Sequence, residues 1–250
     1  MRQAEIYRSA AGYWAFTVYA LSHLRALAIA PVRSVFERQF YFTGIESVSV
    51  VALLGLLAGA AIATQTTALV GGDSELTVRV LVWTVVRELG PLLAAILIIA
   101  RSSVAAATEL ALMEVRGETD ALTVMRIPPL DYLVVPRAAA ITLAAIALTV
   151  YFEVFAVGGG LALSALFQNV SFLTQLGRFF EVIGPGDIAL PAAKALCFGL
   201  AIAVISCYHG LAAGKSVTAI PVAVMRAVTR SLLAVFLIDV LFTWLAYIGR

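Results

Sequence analysis

The chain has 250 residues, of which 62% are apolar and only 13% are charged, and its formal net charge is +2. Soluble domains are typically about 45–50% apolar and about 25% charged, so this composition excludes a soluble fold, whose surface would need more charge than the chain holds. The net charge is too small, and the basic residues too scattered, to indicate a nucleic-acid partner. Lipid is the solvent that fits this sequence.

Residues 1–44 differ in kind from the rest of the chain. They mix basic with aromatic and apolar side chains, which is typical of an amphipathic helix lying in the membrane interface. A membrane span over about residues 10–32 is the competing interpretation, although His23 and Arg25 would be costly in mid-bilayer. We predict an N-terminal interfacial helix region, residues 1–44, followed by a transmembrane domain, residues 45–250. The arginines of the first region are Arg2, Arg8, Arg25, Arg33 and Arg38.

Five apolar runs follow, and each is long enough to cross a bilayer as a helix, which takes about 20 residues. Because backbone polar groups in lipid must be satisfied within the segment, these runs are predicted to be helices. The fold class is therefore an all-α integral membrane protein with five transmembrane helices. The predicted spans are residues 47–70, 80–112, 138–167, 188–208 and 231–248.

The distribution of lysine and arginine predicts the orientation of these spans, because cytoplasmic loops carry an excess of both. With a cytoplasmic N-terminus, the inside segments 1–44, 114–137 and 209–230 hold 5, 3 and 3 basic residues, or 11 of 17, whereas the outside segments hold 4. The N-terminus is thus predicted to be cytoplasmic, and an odd number of spans places the C-terminus on the other side.

The second span contains the sequence Arg87-Glu88-Leu89-Gly90-Pro91. Pro91 lacks the N–H group that would bond to the carbonyl of Arg87, so a kink is expected near residues 87–91. Ionisable side chains within a span are expensive and usually mark a pathway or a paired site. The residues alone leave two interpretations open, a polar cavity and an internal structural clasp.

A polar stretch, residues 114–129, separates the second span from the third. A short helix is predicted to begin at Gly117 or Thr119 and to end before the two prolines at 128–129. Such a helix suits a permease that receives force from a soluble motor, and an ordinary interfacial loop helix is the alternative. The side chains it would present are Glu118, Asp120, Leu122 and Met125.

Other motifs carry less information. Residues 210–216 look like a phosphate-binding loop, but only three residues separate the two glycines where four are needed, and the segment follows an apolar span. No catalytic or metal-ligating constellation is found, so we predict no enzyme activity, metal or cofactor. Gly55 and Gly59, like the run 158–160, are suited to close helix packing. Glu153 and Asp239, near the middle of the third and fifth spans, define an alternative function, an ion- or proton-coupled carrier.

Residues 87–137 contain, in order, Arg87 to Pro91, Arg101, Glu109, Leu110, Met113, Asp120 to Leu122, Met125, Pro129 and Leu133 to Arg137. With these residues the stretch closely resembles the signature region of the MlaE/YrbE family of lipid-transport ABC permeases, and residues 200–245 match the family more loosely. The chain departs from the usual family pattern at Ser103 and Ala111, where glycine is common and where we therefore expect looser helix contacts. Its last cytoplasmic loop, residues 214–221, also lacks the usual acidic and glycine residues.

The resemblance implies a homodimeric permease of the bacterial inner membrane that carries phospholipid or a related lipid and has no ATPase of its own. A cytoplasmic ABC ATPase subunit would dock on the short helix, through Glu118, Asp120, Leu122 and Met125. A periplasmic MCE-domain protein would be the other partner, and a lipid cavity would lie at the dimer interface. The pathway residues implied by this resemblance are Gln65, Arg87, Glu88 and Pro91.

Overall fold

The computed structural model describes residues 11–70, 74–168 and 171–248, and these residues form helices and short turns, with no β-strand among them. The predicted all-α membrane fold is confirmed. Within the described ranges, five helices are long and apolar enough to cross a membrane: Ala30–Leu69, Glu75–Val115, Leu130–Leu166, Pro185–Leu211 and Ala219–Ile248. The arginines predicted at positions 2 and 8 of the interfacial region lie outside the described residues.

The described part of the N-terminal region contains several helices. They are α1 (Ala11–Ser22), a 3-10 turn (Leu24–Ala28) and α2 (Ala30–Thr43). A sixth span over residues 10–32 is not among the candidates, and the first candidate span begins at Ala30. The interfacial position of this region and the boundary at residue 44 stay predictions.

The remaining helices follow in chain order. They are α3 (Val48–Val70), α4 (Ser74–Leu81), α5 (Gly90–Ile98), α6 (Val104–Val115), α7 (Glu118–Val124), α8 (Val135–Gln168), α9 (Phe172–Val182), α10 (Pro185–Leu211) and α11 (Ala219–Ile248). Three π-helical segments, Val82–Leu89, Ile99–Ser103 and Leu130–Val134, interrupt the long helices. The first lies directly before Pro91, where the sequence predicts a disruption, and there the amide of Gly90 bonds to the carbonyl of Val85. π-Helical turns of this kind are rare and often occur at functional sites.

The chain divides into two compact units. Unit 1 comprises residues 1–45, 95–144 and 196–250, of which 11–45, 95–144 and 196–248 are described. Its apolar core includes Phe16, Leu110, Leu133, Val134, Val204, Cys207, Tyr208 and Leu211. Ser103 and Ala111 are both fully buried, and the hydroxyl groups of Ser103 and Ser206 lie 2.6 Å apart. The looser packing expected at these two positions is therefore not found.

Unit 2 comprises residues 46–94 and 145–195. Small residues bring α3 and α8 into close contact, because a Cβ atom on Gly59 would lie 1.8 Å from the carbonyl oxygen of Ala156, and one on Gly55 would lie 2.8 Å from that of Phe152. Only glycine fits at such distances. The packing role predicted for the two glycines of α3 is confirmed. In the run 158–160 it is confirmed for Gly159 and Gly160, where a Cβ atom would lie 3.1 Å and 3.0 Å from the carbonyl oxygens of Leu56 and Gly59, but a Cβ atom on Gly158 would meet nothing within 4 Å.

Candidate functional site

Two ion pairs inside unit 2 involve the charged residues predicted in the second span. The Nε–H group of Arg87 donates to Oδ1 of Asp187, and Nζ of Lys194 lies 2.7 Å from Oε2 of Glu88. Asp187 and Lys194 both belong to α10, so Arg87 and Glu88 each reach across to the same neighbouring helix. These four residues are called the charged cluster below.

The members of the charged cluster differ in exposure. The side chain of Lys194 is fully buried and that of Asp187 is 7% exposed, whereas Arg87 is 21% and Glu88 is 36% exposed. Two ion pairs in membrane-spanning helices must offset a desolvation cost of several kcal/mol per ion. Asp187 is also held in place by the backbone, because the amide of Gly184 donates to its Oδ2 at 2.8 Å.

Glu153 lies beside this part of unit 2. A Cβ atom on Gly90 would lie 3.0 Å from Cγ of Glu153, so the carboxylate-bearing side chain packs directly on the glycine that precedes Pro91. Its Oε1 atom is buried and has no hydrogen-bond partner among the described residues. Of the other two predicted pathway residues, Pro91 is buried and Gln65 is exposed on α3.

A short helix, α7, is present where the sequence predicts one. Gly117 caps its start with a φ of +73°, a left-handed conformation that favours glycine, and Met125 caps its end. Asp120 points outward and its Oδ2 lies 2.9 Å from Nζ of Lys215. The hydrogen bond to Asp120, together with its negative charge, raises the pKa of Lys215 above its ordinary value.

The four predicted docking residues of α7 are not equivalent. Asp120 and Met125 are exposed and Glu118 is half-exposed, whereas Leu122 packs against the apolar core of unit 1. Leu122 therefore anchors the helix. Val124, which is 84% exposed, joins Met125 at 60% in an apolar patch that the sequence reasoning missed.

Sequence reasoning also missed the partners of Arg87 and Glu88. Lys194 is the one Asp, Glu, Lys or Arg residue in the predicted span 188–208, which was the available signal, but the sequence does not show which carboxylate it pairs with. Asp187 lies in the first turn of α10, outside the predicted span.

The amino-acid sequence of this chain is similar to those of known permeases. The model of the family described as Permease MlaE matches residues 36–245. A probable ABC transporter permease of Rickettsia typhi is 32% identical over 86% of this chain and 83% of its own length. A probable ABC transporter permease of Synechocystis is 34% identical over 65% of this chain and 62% of its own length. The chloroplastic protein TRIGALACTOSYLDIACYLGLYCEROL 1 of Arabidopsis thaliana is 31% identical over 61% of this chain and 44% of its own length.

Proposed function

The chain belongs to the MlaE permease family, and we propose that this ABC transporter permease moves phospholipid or a related lipid between the bacterial inner membrane and periplasmic MCE-domain partners. It is a multi-pass membrane protein with five candidate spans among the described residues. The lipid cargo, the partners and the identity of the membrane are the proposal.

The observation that carries the proposal is the partial exposure of the charged cluster. A purely structural clasp needs no access from outside, yet Glu88 and Arg87 keep 36% and 21% of their side-chain surface exposed within membrane-spanning helices. A lipid in transit needs polar contacts for its headgroup and apolar walls for its tails. Arg87 and Glu88 supply the polar contacts, and the apolar side chains around them, such as Trp83 at 53% exposure, supply the walls.

The comparisons support a lipid cargo in one respect. The name of the Arabidopsis relative refers to trigalactosyldiacylglycerol, a lipid built on diacylglycerol. A phospholipid shares the two acyl chains and differs in its headgroup, which is the part that the charged cluster would contact. Family membership also favours an ABC permease over the ion- or proton-coupled carrier.

A separate cytoplasmic ATPase subunit would power the transport. Residues 210–216, which resemble a phosphate-binding loop in sequence, form the end of α10 and a turn in which Gly214 has a φ of +77°. We propose that the ATPase docks on α7, where the exposed Val124 and Met125 lie on the same short helix as the acidic Asp120. A conformational change in the ATPase would then pass through the Leu122 anchor into the core of unit 1.

The assembly proposed is a homodimer. In the most apolar 18-residue stretches of Ala30–Leu69 and Ala219–Ile248, only 28% and 11% of the residues are buried within the subunit. Their apolar faces are available to surrounding lipid and to a second copy of the chain. The MCE-domain partner would lie in the periplasm, on the side predicted for the C-terminus.

The test is native mass spectrometry of the permease, co-expressed with its neighbouring genes and purified in mild detergent. The proposal expects two permease chains, two ATPase subunits and retained phospholipid. A single lipid-free chain that transports in liposomes without ATP would contradict the proposal and favour the carrier, with Glu153 as its first candidate residue.

A further inference from the structure

A charged cavity lies within unit 1, and the proposed function uses none of the residues that line it. It has a volume of about 290 Å³ and is lined by Arg38, Gln39, Glu109 and Arg137 together with three apolar side chains. Arg38 and Gln39 belong to α2, Glu109 to α6 and Arg137 to the start of α8. Three helices therefore bring two guanidinium groups and one carboxylate to the same cavity.

Arg137 is the most buried of the three charged side chains that line this cavity, with only 4% of its surface exposed. Its Nη2 donates to Oε2 of Glu109 at 2.7 Å and its Nη1 to the carbonyl of Leu133 at 3.0 Å. A guanidinium group has five N–H donors, so three have no partner among the described residues, and one of these is the buried Nε–H. A buried donor without a partner costs about 1–3 kcal/mol, and an anion in the cavity would lower this cost.

The charge of the lining selects the kind of anion. Arg38 and Arg137 contribute two positive charges and Glu109 one negative charge, which leaves the cavity with a net charge of +1. Arg38 is exposed and has no hydrogen-bond or ion-pair partner within residues 11–70, 74–168 and 171–248. A phosphodiester carries one negative charge and its oxygens match the geometry of guanidinium groups.

The depth of the cavity points to a lipid as the source of the phosphodiester. Glu109 lies six residues before the end of α6 at Val115, and Arg137 lies seven residues after Leu130, where its candidate span begins, which places each residue roughly 9–11 Å from its helix end. Both ends face the connection 116–129. This depth lies just below the headgroup region, which adds roughly 5–7 Å to each side of the apolar core, and basic pockets between membrane helices bind anionic headgroups.

We infer that this cavity binds the phosphodiester headgroup of a phospholipid from the membrane leaflet beside the 116–129 connection. The cavity shares no residue with the charged cluster of unit 2. The binding itself needs neither an ATPase nor transport, and the distribution of lysine and arginine predicts that this leaflet is the cytoplasmic one.

The experiment measures binding of a short-chain phosphatidylglycerol to the purified full-length chain in detergent. Arg38→Gln removes one positive charge from the cavity and should weaken binding about tenfold, since a charge-assisted hydrogen bond is worth about that factor. Arg33→Gln is the matched control, because Arg33 lies on the same helix, is exposed, and pairs with Glu37 instead of lining the cavity. Arg38 is also exposed, so its substitution should leave the fold intact.

Glu109→Gln provides a test of opposite sign. It raises the net charge of the cavity from +1 to +2 while keeping an oxygen that accepts from Arg137, so binding of the phosphodiester should become several-fold tighter. Equal affinities for wild type, Arg38→Gln and Glu109→Gln would overturn the inference.

Inorganic phosphate separates the two possible sources of the anion. If it displaces the short-chain lipid at comparable concentration, the cavity is a site for small anions and the assignment to a lipid is wrong. Lipid binding that depends on Arg38 in a protein without ATP-driven transport would contradict the proposed function alone. ATP-driven transport without Arg38-dependent binding would contradict this inference alone.

Discussion

Glu88→Gln tests whether the charged cluster stabilises the fold, lines the pathway, or does both. The substitution removes the negative charge that lies 2.7 Å from the ammonium group of Lys194 and keeps a side chain of nearly the same shape. Glutamine retains an oxygen that can accept from Lys194, so Glu88→Ala should be the more severe change.

The magnitude follows from the exposure of the two partners. Removing one partner of a fully buried ion pair costs about 3–5 kcal/mol, whereas exposed pairs contribute about 0–1 kcal/mol. Lys194 is fully buried but Glu88 is 36% exposed, so we expect a loss between these limits, about 1–3 kcal/mol. For a chain of this size the loss corresponds to a Tm lower by roughly 2–12 °C.

Two measurements are needed, thermal unfolding in detergent and ATP-driven lipid transfer in proteoliposomes with the ATPase partner. Glu75→Gln is the matched control. Glu75 also belongs to unit 2 and its Oε1 lies 2.9 Å from Nη2 of Arg79, but unlike the Glu88–Lys194 pair both of these side chains are more than half exposed. Its Tm should change by less than the equivalent of about 0.5 kcal/mol.

The two readings of the charged cluster give different results. A lower Tm with normal transfer would identify Glu88 as part of a clasp, and a normal Tm with slow transfer would identify it as part of the pathway. Wild-type values for both measurements in Glu88→Gln and Glu88→Ala would refute the reasoning, because the cluster would then do neither.

Three further predictions concern other parts of the chain. Gly59→Ala should lower the Tm by several degrees, because overpacking costs about 1–3 kcal/mol, while Gly158→Ala, with open space around it, should not; equal Tm values would contradict the close contact. Burial and the hydrogen bond to Asp131 raise the pKa of Tyr19 to about 12. The free energy of unfolding of wild type should therefore exceed that of Tyr19→Phe by a constant amount below pH 10, and this difference should decline between pH 10 and 12, because the unfolded chain loses the tyrosine proton first. Unfolding measured at pH 9 and at pH 11 checks this. A constant difference across that range would refute it. Met125→Glu should reduce co-purification of the ATPase severalfold while Met125→Leu should not, and full retention by both would exclude this docking surface.

The sequence was most informative where one physical constraint acts on a whole segment. Lipid requires long apolar runs, and all five runs were therefore found, with ends that differ from the structure by several residues, as at 231–248 against Ala219–Ile248. The missed start of that helix contains Arg226 and Arg230, which a hydropathy count excludes although helical geometry continues through them. Short α7 was found because glycine and two prolines delimit it.

The composition and order of residues by themselves determined that the chain spans a membrane, how many times, and which glycines would let helices touch, because each of these depends on local pattern. The partner of each charged side chain was decided only by the tertiary structure. Arg87 and Glu88 are adjacent in sequence, but their partners lie 100 and 106 positions away on α10, and Arg137 meets Glu109 from another helix. An ion pair depends on the distance between two side chains in space, and that distance is fixed by how helices pack.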